Sequence, residues 1–200
     1  MRHLIAALFA WVASLAHAGP TTIGFEGLSD QEALSGQYPG LTFQGGMVLL
    51  TGPAGGSLNE LDFPPHGGVA AAMSDAPVQI DFTSPVSQVS AYFTYIGGLR
   101  LSAFDGMGSL LGSAQAGFSN NTALGGDFGS QANEFLGLSA IGDIRRIVIE
   151  SVDPLGGVFV FDDLGFNTDP VVQGLPEPAG WALGAVAALT AVASRRRRHA

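Results

Sequence analysis

The middle of this 200-residue chain, residues 19–167, predicts an all-β fold: an antiparallel two-sheet β-sandwich of jelly-roll type. Three observations predict it. Apolar stretches are short and bounded by Gly, Pro, Asn and Asp. Nothing between Gly19 and Leu175 keeps a helical period for long. Short strands without crossover helices pair antiparallel and bury one face against a second layer. A partly open barrel is the alternative closure.

Strands are expected near Thr21–Phe25, Leu41–Leu50, Val69–Met73, Val78–Phe82 and Val86–Tyr95, then Leu99–Phe104, Leu110–Ala116, Glu134–Leu138, Ile144–Ser151 and Val158–Phe166. Alternation is clearest from Val89 to Tyr95. There Val89, Ala91, Phe93 and Tyr95 share one face, and Ser90, Tyr92 and Thr94 the other. Ile144, Ile147, Val148 and Ile149 predict a strand covered on both faces. Gly52 to Gly68, rich in Gly and Pro, is the longest irregular segment and is expected as a surface loop. A second loop is expected from Phe118 to Asn133. Residues 168–174 read as a linker.

Both ends carry routing signals. Arg2 and His3 precede an apolar run, Leu4 to Leu15, and Ala16-His17-Ala18 is a small-x-small cleavage site. Residues 1–18 therefore read as a signal peptide for the secretory translocon, cut between Ala18 and Gly19. The other end, 175–200, begins Leu175-Pro176-Glu177-Pro178. Residues 179–194 carry no charge. As a helix they span roughly 24 Å, short of the ~30 Å hydrocarbon core. Arg195, Arg196, Arg197 and Arg198 follow as a basic stop that stays cytoplasmic. Pro176 and Pro178 keep the motif extended outside the membrane. In this order, Pro176-Glu177-Pro178, apolar run and arginines, the tail resembles the PEP-CTERM sorting domain of exported bacterial proteins. The resemblance implies an exosortase-like membrane peptidase as partner. It also implies a transient inner-membrane anchor and a final place at the cell surface or in the extracellular matrix of a biofilm. A plain C-terminal transmembrane anchor is the alternative.

Composition excludes several functions. The chain has no Cys and no Lys. Disulfides, thiol nucleophiles and cysteine metal sites are ruled out. Between Gly19 and Leu175 there are three arginines against sixteen acids, a formal charge of 3 − 16 = −13. Such a surface repels nucleic acid. His66 is the sole histidine of that segment, which excludes a multi-histidine zinc site. A Ser-His-Asp triad would have to use His66, and no Gly-x-Ser-x-Gly elbow is present. The protein is expected to be non-catalytic, with a secreted hydrolase as a lesser alternative.

Two features point to a ligand. Glu26 follows an apolar first strand, and Asp162-Asp163 interrupt an apolar last one. A carboxylate there is costly unless it is paired or metal-bound. The Phe25-Glu26 and Asp162-Asp163 pairs resemble those of jelly-roll carbohydrate-binding modules, where they flank a structural calcium. That resemblance implies one calcium held by Glu26, Asp162 and Asp163. The alternative is that Asp162 or Asp163 accepts backbone hydrogen bonds in a turn or bulge. Tyr92, on the polar face of its strand, is the candidate platform for a sugar, or else a cross-strand packing residue. The sequence thus predicts an exported, non-catalytic surface or matrix protein. The alternative is a carbohydrate-binding module for extracellular polysaccharide.

Overall fold

The computed structural model describes residues 19–167. The expected signal peptide, linker, sorting motif, transmembrane segment and basic stop lie outside the described residues. So do Ala18, Pro176, Glu177, Pro178 and Arg195 to Arg198. Apart from a 3-10 turn at Gly52–Ala54, the described elements are all strands. They are β1 (Thr21–Ile23), β2 (Glu32–Ala33), β3 (Leu41–Gln44), β4 (Met47–Leu50), β5 (Ala70–Ser74), β6 (Val78–Tyr95), β7 (Arg100–Phe104), β8 (Leu110–Gln115), β9 (Glu134–Glu150) and β10 (Phe159–Asn167). All ladders are antiparallel.

The pairing is one continuous path, β2-β4-β5-β10-β6-β9-β7-β8, with β1 added on β10 and β3 on β6. The expected fold is an antiparallel sandwich of two packed sheets, and here the strands bond as one path. The difference comes from β6 and β9, which each run through both halves and join them at a corner. The sequence marks that corner as a change of phase. In β6 the buried apolar positions are Val78, Ile80, Phe82 and Val86, then Val89, Ala91, Phe93 and Tyr95. The set switches from even to odd numbers where the β6–β9 register slips, between Asp81 and Val86 and again before Gln88. A bulge adds a residue to one strand, bends it and flips the face that follows. Pro85 sits in this slip, where no ladder hydrogen bond is required of it.

Two expected strands therefore fuse into β6 and two into β9. Conversely, the expected Leu41–Leu50 strand is two. Gly45 and Gly46 both have positive φ, and the chain turns there between β3 and β4. The strand β2 has only two residues and leaves no periodic signal.

The inward faces of both halves build one core. Phe25 meets Phe161, Phe43 and Tyr38 edge-on, with centroids 5.4, 6.4 and 6.0 Å away. Phe161, Ile80, Ile147 and Phe93 are fully buried in the same cluster. Each such side chain contributes about 1.5–3 kcal/mol by leaving water. A smaller cluster lies on the outer side of the sheet: Leu49, Leu58, Phe63, Ala71 and Val160. Leu58 and Phe63 belong to the expected 52–68 loop. That segment is thus packed down onto β4, β5 and β10 by its own apolar residues.

Candidate functional site

The site begins where β1 ends. Gly24 leaves the strand, and a side chain there would begin 3.2 Å from the Asp163 carboxylate. Phe25 follows at φ +61°, a left-handed conformation rare for a bulky residue. The turn drives its ring into the core and sends Glu26 outward. The Glu26 Oε1 accepts from the Val69 and Ala70 N–H groups, at 2.7 and 3.1 Å. Gly68 makes this possible, since a Cβ there would lie 1.7 Å from that oxygen. Glu26 thereby fastens the turn after β1 to the start of β5.

Opposite, β10 bulges between Asp162 and Gly165, with Asp163 at φ +49°. Asp162 is 2% exposed. Its Oδ2 accepts from the His66 N–H at 2.8 Å and its Oδ1 from the Asp163 N–H at 2.7 Å. Burial pushes the Asp162 carboxyl up, and the negative charges of Asp163 and Glu26 add to the push; the two N–H donors oppose it, and it settles at about 7. Asp163 points the other way, with its Oδ2 2.7 Å from the His66 Nδ1. The imidazole lies flat on Tyr92, centroids 3.5 Å apart and planes 7° from parallel. Tyr92 in turn meets Phe135 edge-on at 5.4 Å.

The fold thus brings Glu26, Asp162, Asp163 and Tyr92 to one region, across β1, β6 and β10. Most of their carboxylate oxygens already accept hydrogen bonds. Asp162 spends both oxygens, Glu26 one, and Asp163 one, on N–H groups or the imidazole. Calcium takes six to eight oxygens. Among the described residues, no group of three or more His, Asp or Glu is placed to hold a metal ion. At Asp162 the backbone N–H donors of the hydrogen-bonded alternative are present.

Tyr92 is not the open platform. One face of its ring is covered by His66, and the surface that solvent meets passes to His66 and to Phe135, which is 56% exposed. Phe135 has a readable signal. In its strand Leu136 and Leu138 face inward, and Phe135 is the large apolar residue left on the other phase. No such signal exists for His66, whose place depends on a partner 97 positions away.

Beside this ring cluster lies a row of small residues, and the Phe135 ring leans over one end of it, 3.3 Å from the Cβ position of Gly137. The cross-strand row next to Asp162–Tyr92–Phe135 is Gly165–Ser90–Gly137. It carries nothing larger than serine. The next row is Asn167–Gln88–Ser139, all polar. At the opposite side, Thr94 is buried under Asn133, whose N–H donates to the Thr94 hydroxyl at 2.9 Å. The two long loops meet there, with the Ala123 N–H on the Asp62 carbonyl at 3.0 Å. Rings, a row of small residues and a polar border therefore lie in order across the outer sheet face.

No protein-family model matches the chain, and no curated protein matches it. Among solved structures, it is similar to the K2 cleaved adhesin domain of Lys-gingipain. The identity is 15%, the TM-score 0.46, and the match covers 74% of this chain and 99% of that one. It is also similar to a family 29 carbohydrate binding module, at 11% identity and TM-score 0.39, covering 80% and 94%. A CBM29-2 mutant complexed with mannohexaose gives 13% identity and TM-score 0.39, covering 80% and 99%.

Proposed function

We propose that residues 19–167 form a non-catalytic, jelly-roll-like module that binds neutral polysaccharide on its outer sheet face. The observation that carries this is the His66–Tyr92–Phe135 ring cluster, exposed at Phe135, beside the small-residue row Gly165–Ser90–Gly137. A pyranose presents C–H groups on its faces and hydroxyls around its edge. The rings offer an apolar wall for the first, and Gln88, Ser139 and Asp163 offer polar partners for the second. Affinity electrophoresis against a panel of neutral glucans, mannans and xylans tests it. Retardation by at least one polymer is expected. Phe135→Ala should weaken it about tenfold, with little change in melting temperature because the ring is largely exposed. Migration unaffected by every polymer, or by the substitution, overturns the assignment.

The module is carried by an exported protein. Pro176-Glu177-Pro178, the uncharged run and the four arginines support delivery through the secretory route and processing by an exosortase-like peptidase. Changing the three motif residues to alanine should leave export intact and abolish C-terminal processing. An unchanged mature mass in that variant leaves a plain membrane anchor.

A further inference from the structure

The corner of the fold carries a second cleft, on a different part of the surface. Its volume is about 650 Å³, and Asp81, Asp105, Gly106, Met107, Arg145 and Arg146 are among its walls. The domain has three arginines and no lysine. Arg100 is paired with Glu150 at 2.6 Å and Arg146 with Asp81 at 2.7 Å. Among the described residues, Arg145 is the arginine without a carboxylate partner.

Its placement follows from the bulge. Asp81 is in register with Arg146 and Val86 with Ile144, so Arg145 alone stands opposite four residues of β6. Its Nη1 donates to the Thr83 carbonyl of that excursion at 2.6 Å. Its stem passes 3.6 Å from the Cβ position of Gly106, in the β7–β8 turn. The guanidinium is therefore held in place while most of its five N–H donors stay unused. The two aspartates of the cleft are committed elsewhere. Asp81 accepts from Arg146, Gln79 and Gln44. The Asp105 Oδ1 accepts the Met107 and Ser109 N–H groups of its own turn, both at 2.8 Å. Met107, 89% exposed, forms an apolar lip.

We propose that this cleft binds a carboxylated sugar, a hexuronate unit of an acidic polysaccharide, through its carboxylate on Arg145. A guanidinium fork matches a carboxylate in two parallel hydrogen bonds, which a sugar hydroxyl does not. The Met107 side chain covers a C–H face of the same ring. The surrounding negative charge acts against a long polyanion at a distance, so the recognised unit is a short stretch or a chain end.

Isothermal titration of the full chain in detergent, with trigalacturonate as probe and maltotriose as neutral control, tests this. Binding of trigalacturonate is expected, with maltotriose at least tenfold weaker at this cleft. Arg145→Gln should lower the trigalacturonate affinity tenfold or more, and Arg145→Lys should restore part of it. Met107→Ala, at a residue that supports no core, should lower it severalfold without a change in melting temperature. Phe135→Ala should leave it unchanged, which separates this cleft from the ring cluster. No binding of trigalacturonate at millimolar concentration overturns the proposal. So does equal affinity for maltotriose in the Phe135→Ala variant, or a trigalacturonate affinity that neither Arg145→Gln nor Met107→Ala alters.

Discussion

Asp81 and Asp162 are both aspartates on strands, both cross-strand neighbours of the two longest ladders, and they behave in opposite ways. Burial opposes the ionisation of each. At Asp81 this is outweighed by the Arg146 guanidinium and the Gln79 and Gln44 amides, and the carboxyl is held below its ordinary value. At Asp162 the only help is two backbone N–H groups, and the nearby charges are negative. Its carboxyl rises to about 7. A strand aspartate is thus defined by what its neighbours donate, and the strand itself says nothing of it. Asp81 faces partly outward and tunes a surface. Asp162 faces a bulge and ties the 52–68 loop to the sheet through His66.

The largest expected effect tests the Asp162 half of this contrast. With a folded value near 7 against an ordinary 3.8, the folded state holds a proton that the unfolded state has lost. Stability from this group is then full below about pH 4 and falls as the pH rises towards 7. The change is on the order of 3 kcal/mol between pH 4 and 7.5. Urea unfolding across that range should show the fall, and Asp162→Asn should flatten it. A wild-type slope of the opposite sign would break the comparison.

A smaller effect tests Asp81. Its lowered carboxyl contributes stability that is present above pH 4 and lost on further acidification, the reverse window. The Arg146 and Asp81 side chains are 44% and 30% exposed, so the ion pair is largely screened. Asp81→Asn should cost roughly 0.5–1 kcal/mol at pH 7 in low salt, and less in 0.5 M salt. A loss of several kcal/mol would mean that the network also holds the corner of the sheet together.

What was legible in the sequence was local. The alternation of Val89 to Tyr95 places Val89, Ala91, Phe93 and Tyr95 in the core, as found. The turn residues around 52–68 and 118–133 mark two real loops. What was not legible depends on partners far along the chain. Ser84-Pro85 reads as a strand break, yet β6 continues through it because β9 supplies a matching slip at Arg145. Gly45-Gly46 reads as one strand's interior, yet each half pairs with a different neighbour, β3 with β6 and β4 with β5. Glu26 and the two aspartates were recognisable as misplaced carboxylates. Their hydrogen-bond donors were not, because Val69, Ala70 and His66 belong to a loop whose path is set by the burial of Leu58 and Phe63.

The position of β10 has a consequence for how the molecule comes into being. It is the last described strand, yet it lies inside the sheet, with β5 on one side, β6 on the other and β1 beside its end. Thr21 pairs with Phe166, nearly the full length of the domain away. Until residues 159–167 have emerged, β5 and β6 have no strand between them and Phe25 has no Phe161 to pack against. Closing such distant contacts is slow. The core therefore cannot close before residues 159–167 are in place, because β10 is the strand that joins β5 to β6 and carries Phe161 to Phe25.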